Sequence, residues 1–286
     1  MNQRSSVSMK LKRAVQGFLQ AKAAEGCSER TTVTYAQHLD VWLKYAGDVE
    51  VETLTSQGIR AFLAWLRTDY RPRRFGGWTD PISAKTAYNF WITLAAFFSW
   101  AVLEFNLDSP MKAVRAPSFE EAPIEPYTLA EIERLLKACD QSAEAHTQDR
   151  RTYVMRRPTA TRDRAIILIL LDTGLRASEL CALKVGDADM STGKIEIKHG
   201  QKGGAKGGKG RFVYLGKAAR RQLWRYLAQR EDGESKEAPL FMGKFDRPIN
   251  KTMLRQLIVR LGQKANVRKS HPHRLRHYAE FRTMPS

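Results

Sequence analysis

Cysteine is scarce in this 286-residue chain: Cys27, Cys139 and Cys181 stand far apart and in no metal-ligand spacing, so neither a zinc site nor a disulfide framework is expected. Long apolar runs are missing too. The longest aliphatic stretch, Ala165 to Leu171, is much too short to span a bilayer, and no apolar signal-like region follows the start. A reducing, cytoplasmic compartment is therefore the default expectation. No internal repeat is apparent, and low complexity is confined to one Gly- and Lys-rich segment, 200–210. Acidic residues are the last scarcity: 30 Asp and Glu face 48 Lys and Arg, a formal net charge of +18.

That excess is uneven, +5 over residues 1–117 and +13 over 118–286, so the later part is the stronger attractor of anions. A polyanion spanning both parts fits such a field, because each phosphate neutralised releases counterions. Nucleic acid matches best; a well-solvated basic surface is the plain alternative. With 43% hydrophobic and 27% charged residues and aromatics spread along its length, the composition excludes a disordered or collagen-like chain. The length suits two domains, each with its own core.

The first part reads as helices. Leu11, Val15, Phe18 and Leu19 recur at helical spacing until Gly26, and a second helix starting near Ser28 carries Tyr35, Leu39, Trp42 and Leu43 on one stripe. Further helical patterns cover 56–70 and 83–105, the latter dense in aromatics (Tyr88, Phe90, Trp91, Phe97, Phe98, Trp100) whose period marks them as core rather than base-stacking platforms. Pro110, Pro117, Pro123 and Pro126, with Glu120, Glu121 and Glu125, then break the pattern. The division expected is 1–117, a linker at 118–126, and a second domain at 127–286 opened by the capping box Thr128-Leu129-Ala130-Glu131. Within it, 141–162 reads as a polar loop and 163–171 as a buried helix. Residues 194–199 and 211–215 read as two strands with a long positive tip between them, and helices return at 217–229 and 251–265.

Three motifs stand out in the second domain: Thr173-Gly174-Leu175-Arg176-Ala177-Ser178-Glu179-Leu180 with Leu183 and Asp187 following, the hairpin segment Lys206-Gly207-Gly208-Lys209-Gly210-Arg211-Phe212-Val213, and His271-Pro272-His273-Arg274-Leu275-Arg276-His277. In order and spacing they resemble the catalytic domain of the tyrosine site-specific recombinases, the phage integrase and Xer family. The likeness covers nearly the whole chain, since the helical first part is similar to that family's core-binding domain. It implies a mainly α (α+β) protein: a helical, SAM-like core-binding domain, then a mixed α/β catalytic domain with a small antiparallel sheet.

The resemblance also assigns roles. Arg176 matches the first catalytic arginine, Lys206 the hairpin lysine in competition with Lys202 and Lys209, His273 the histidine of the H-x-x-R pair, and Arg276 the second arginine. The chemistry suits them. Negative charge builds on non-bridging phosphate oxygens during phosphoryl transfer, and two guanidiniums can hold it bidentately while staying protonated. A hairpin lysine can protonate the leaving 5′-oxygen, and a histidine titrating near neutrality can share the acid/base work. No metal or cofactor is required. The implied reaction is attack of a tyrosine hydroxyl on a phosphodiester, giving a 3′-phosphotyrosyl link that another 5′-hydroxyl resolves.

His271 and Arg274 are expected to face solvent, His277 is as readily structural as catalytic, and Glu179 and Asp187 are expected to orient local backbone or arginines. After Arg276 the resemblance fades, so the expectation is a family member cut short before its nucleophilic tyrosine, with an apolar patch left uncovered and with Tyr278 serving packing. The implied partner is double-stranded DNA, clamped between the two domains with 110–126 passing around the side, and the implied assembly is a homo-oligomer on DNA. The competing readings are a non-catalytic protein that occupies recombination sites and a basic protein that binds RNA or acidic protein surfaces.

Overall fold

The structure is a computed structural model; it describes residues 9–72, 80–121, 123–140, 145–147, 150–153, 157–198, 210–243 and 246–283. The chain divides after residue 122 into two compact units.

Four helices build the first: α1 (Leu11–Ala24), α2 (Glu29–Ala46), α3 (Ser56–Thr68) and α4 (Ala84–Phe105). Local chemistry sets their starts. The hydroxyls of Ser28, Thr55 and Ser83 accept from the backbone N–H three residues on, at 3.2, 3.1 and 3.2 Å, satisfying donors that a helix N-terminus leaves orphaned. Asn106, in the left-handed conformation at φ 53°, closes α4. The expected aromatic core forms: Phe18, Trp42, Phe62, Phe97 and Phe98 are fully buried, with Phe18 edge-on to Phe97 at 5.6 Å and Trp42 to Phe98 at 5.5 Å. By length and composition alone α4 could cross a membrane, but Phe90, Leu94, Phe97 and Phe98 from this helix are spent on that core.

The second unit contains α5 (Leu129–Asp140), a hairpin of β1 (Ala145–Thr147) and β2 (Arg150–Tyr153), α6 (Ala160–Thr173), α7 (Ala177–Ala182), a second antiparallel hairpin of β3 (Lys194–Ile197) and β4 (Arg211–Tyr214), α8 (Lys217–Leu227), α9 (Lys251–Lys264) and α10 (Pro272–Thr283). Its centre is α6, buried along most of its length, which packs against α5, α8 and α10. The capping box is present: Thr128 and Glu131 exchange hydrogen bonds of 3.0 and 3.2 Å at the start of α5.

Two expectations need correcting here. The segment 141–162 is not all loop, since β1 and β2 pair across it and α6 begins at Ala160 rather than at 163; few apolar residues there announced the strands. Arg274 does not face solvent. It is 7% exposed, and its guanidinium reaches Glu131 (2.9 and 3.3 Å) and the carbonyls of Glu125, Pro126 and Arg268 while stacking over Tyr127 at 4.1 Å. A buried arginine needs this many acceptors, and periodicity alone does not disclose them.

Candidate active site

Gly174 ends α6 in the left-handed conformation, φ 60°, and turns the chain so that Arg176 becomes the N-cap of α7. A side chain at 174 would also meet α10: a Cβ there would sit 3.3 Å from the Ala279 Cβ and 3.8 Å from the Arg276 Cγ. The glycine thus lets the Thr173–Arg176 turn lie against the helix that carries His273 and Arg276.

Between these elements lies an open cleft of about 690 Å³, lined by Leu175, Arg176 and Ala177, by Lys251 and Arg255 of α9, and by His271, Pro272, His273, Arg276 and Glu280. Arg176 from one motif and His273 and Arg276 from another therefore share one cleft. Lys206 lies outside the described residues, as do Lys202 and Lys209. Against four cationic side chains the lining supplies one carboxylate, Glu280, so the cleft suits an anion.

Behind Arg176, the carboxylate of Glu179 is completely buried and takes four donors. The Arg176 backbone N–H gives to Oε2 at 2.8 Å and its Nη1 to Oε1 at 2.9 Å; Arg211 of β4 adds Nη1 to Oε1 at 2.9 Å and Nη2 to Oε2 at 2.8 Å. Burial alone would raise the carboxyl's pKa, yet the bonds from Arg211 and Arg176 outweigh it and hold the group below the usual glutamate range. Asp187 works similarly, accepting from the Lys184 N–H at 2.8 Å and from Lys198 at 2.6 Å. Both acids orient backbone and cations, as expected.

Across the cleft, Arg276 Nε gives to Glu280 at 2.7 Å. Among the described residues, no hydrogen bond engages the two terminal nitrogens of Arg276, or Nε and Nη2 of Arg176, which leaves donors for an oxyanion. His273 and His277 approach with their Nε2 atoms 3.1 Å apart, and His277 Nδ1 lies 3.4 Å from Glu280. Burial, then His277 and Arg276, push His273 below its ordinary pKa; burial, then His273 and Arg274, do the same for His271, whose Nδ1 caps α10 by accepting from the Arg274 N–H at 3.2 Å. Tyr278 is buried in the unit's core, as its expected packing task requires, and no tyrosine is among the cleft's described lining.

Sequence reasoning missed Lys251, Arg255, Glu280 and the role of Arg211. Lys251 and Arg255 stand four apart on the start of α9, a spacing that puts both on one helix face, but nothing local ties that face to the other motifs.

Residues 127–283 match the Phage integrase family, and 15–104 match the Phage integrase, N-terminal SAM-like domain. Tyrosine recombinase XerA of Thermococcus kodakarensis is 30% identical over 256 residues, covering 88% of this chain and 74% of that protein. Tyrosine recombinase XerC of Xanthomonas campestris pv. campestris is 27% identical over 241 residues; the match covers 82% of this chain but spans less than two thirds of the relative, 63%. In fold, the chain is similar to the Tn1549 transposon integrase in complex with circular intermediate DNA (TM-score 0.70, 20% identity, 96% of this chain and 87% of that one). A lambda integrase dimer bound to a COC′ core site is also similar (TM-score 0.68, 16% identity, 95% and 69%). With the family matched over more than half of its length and a recombinase relative aligned along most of the remainder, the chain belongs to the phage integrase family, the tyrosine site-specific recombinases.

Proposed function

We propose that this chain acts on duplex DNA in site-specific recombination, holding one backbone phosphate in the cleft between α7 and α10. The convergence of Arg176, His273 and Arg276 on a single cation-rich cleft carries this reading. Arg176 and Arg276 bind the non-bridging oxygens, where planar guanidiniums match the developing charge. His273 shares the acid/base work, and Lys206 of the β3–β4 tip protonates the 5′-oxygen as it leaves. Residues 1–117 serve as the core-binding domain and 127–286 as the catalytic one. Copies assemble on DNA, as the lambda integrase dimer does on its core site, and the work is done in the compartment that holds the DNA, the cytoplasm.

A second reading, binding without cleavage at recombination sites, is favoured by one observation: Tyr278, two positions after Arg276, is buried in the core of its unit. Both readings require DNA binding dominated by phosphate contacts. Anisotropy of a labelled duplex tests this. If six or more phosphates are contacted, affinity falls by about 10³-fold or more between 50 and 200 mM salt; Arg176→Ala and Arg276→Ala each weaken it at fixed salt. Salt-insensitive binding, or tighter binding to RNA than to duplex DNA, contradicts the proposal.

A further inference from the structure

We infer that His273 and His277 form a two-nitrogen binding site for a late first-row transition-metal ion: Zn(II), Ni(II) or Cu(II). The residues stand four apart on α10, so both rings rise from one face of the helix. Their Nε2 atoms are 3.1 Å apart. Imidazole nitrogens bind such ions at about 2.0–2.1 Å, which places two neighbouring ligands about 2.9 Å apart in octahedral and about 3.3 Å apart in tetrahedral geometry. The observed separation falls between the two. The ring centroids are 4.3 Å apart, closer than a head-on approach of the two nitrogens would place them.

Glu280 supplies the outer support. Its Oε2 lies 3.4 Å from His277 Nδ1, which favours a proton on Nδ1 and leaves Nε2 as the bare ligand atom. Without metal, one Nε2–H donates to the other Nε2. On coordination, solvent moves that proton from Nε2 to Nδ1 of His273, both rings stay neutral, and the ion replaces the hydrogen bond. Imidazole selects zinc, nickel or copper over magnesium or calcium, which prefer oxygen.

His273 is exposed and the His277 side chain is one-third exposed, so an ion can enter directly from solvent. Among the described residues no group of three or more His, Cys, Asp or Glu converges on a metal position, so this is an exchangeable site completed by water rather than a structural one. The nearby Arg276 opposes a dication and Glu280 offsets it. The site shares His273 with the phosphate cradle proposed above, but metal binding is read without DNA, so its failure leaves that proposal untouched.

The test is calorimetric titration of the full, untagged chain with Ni(II), together with electron paramagnetic resonance of the Cu(II) form. One ion per chain is expected at this site, with nitrogen hyperfine structure from two imidazoles. His273→Gln and His277→Gln should each abolish it, Glu280→Gln should weaken it by about tenfold or more, and His271→Gln should retain it. Long-range nitrogen NMR of the unmutated chain provides a readout independent of variant folding: Zn(II) should shift Nε2 of His273 and His277. Binding that survives His277→Gln, or that His271→Gln removes, or NMR shifts confined to other histidines, would overturn the inference.

Discussion

Arg211 of β4 grips both carboxylate oxygens of Glu179, at 2.9 and 2.8 Å, while the same carboxylate holds the side chain and backbone N–H of Arg176. The hairpin and the first arginine of the cleft are thereby tied through one buried acid. Its pKa is depressed in the folded chain, so the stabilisation is present above the ordinary glutamate value of about 4.3 and is lost as pH falls below it through the folded value. Glu179→Gln should cost about 2 kcal/mol at pH 7, less than a fully buried pair would because both arginines are more than a third exposed. Urea unfolding at pH 7 and pH 3.5 checks this: the gap between parent and variant should narrow in acid, and a gap that widens contradicts it.

Arg274 is a stability residue, not a phosphate ligand. Arg274→Lys cannot reproduce its fork of bonds to Glu131, Glu125, Pro126 and Arg268. A loss of about 3 kcal/mol is expected, lowering the melting temperature by roughly 6–12 °C. The salt dependence of DNA binding should not change, in contrast to Arg276.

Gly174 is constrained both by its backbone and by α10. Gly174→Ala should cost about 1–2 kcal/mol for the left-handed conformation. It should also weaken DNA binding, because the new methyl meets Ala279 and pushes α10 from the arginine turn. Adding Ala279→Gly should restore binding without restoring all of the stability. If it restores neither, the contact with α10 is not what positions Arg276.

How much of this was legible before the fold depends on where each signal sits in the chain. Helix starts at Ser28, Thr55, Ser83 and Thr128 are local hydrogen-bond chemistry, and the sequence displays them directly. Arg176, His273 and Arg276 were legible because their motifs are short and ordered, and the structure brings all three to one cleft. Lys251 and Arg255 were not, since the cleft exists only after α9 packs beside α7 and α10. Arg274 and Arg276 are two positions apart in one motif, yet one is 7% exposed and the other lines the cleft; helical phase separates them, but only the acceptors around Arg274 reveal which faces inward. The β3–β4 pairing follows the hairpin that the sequence predicts, and its two strands differ in burial. Ile195 and Ile197 are buried while Phe212 and Tyr214 are more than half exposed, with Lys194 over the Phe212 ring at 3.6 Å.

With a nicked suicide duplex, Tyr278 should form no covalent protein–DNA adduct, because its side chain is packed in the core. Denaturing electrophoresis followed by peptide mapping reads this. An adduct at Tyr278 contradicts the assignment of that side chain to packing.

The central claim is that Arg176 and Arg276 hold the same phosphate, and the slope of log affinity against log salt for the two single variants and the double variant tests it most directly. Each phosphate released lowers the slope by about 0.9. Either single variant should lower it by at most about that amount, and the double variant by about the same amount in total. A double variant whose slope falls by about twice that amount would put the two arginines on separate phosphates, and an unchanged slope in all three would remove them from the DNA altogether.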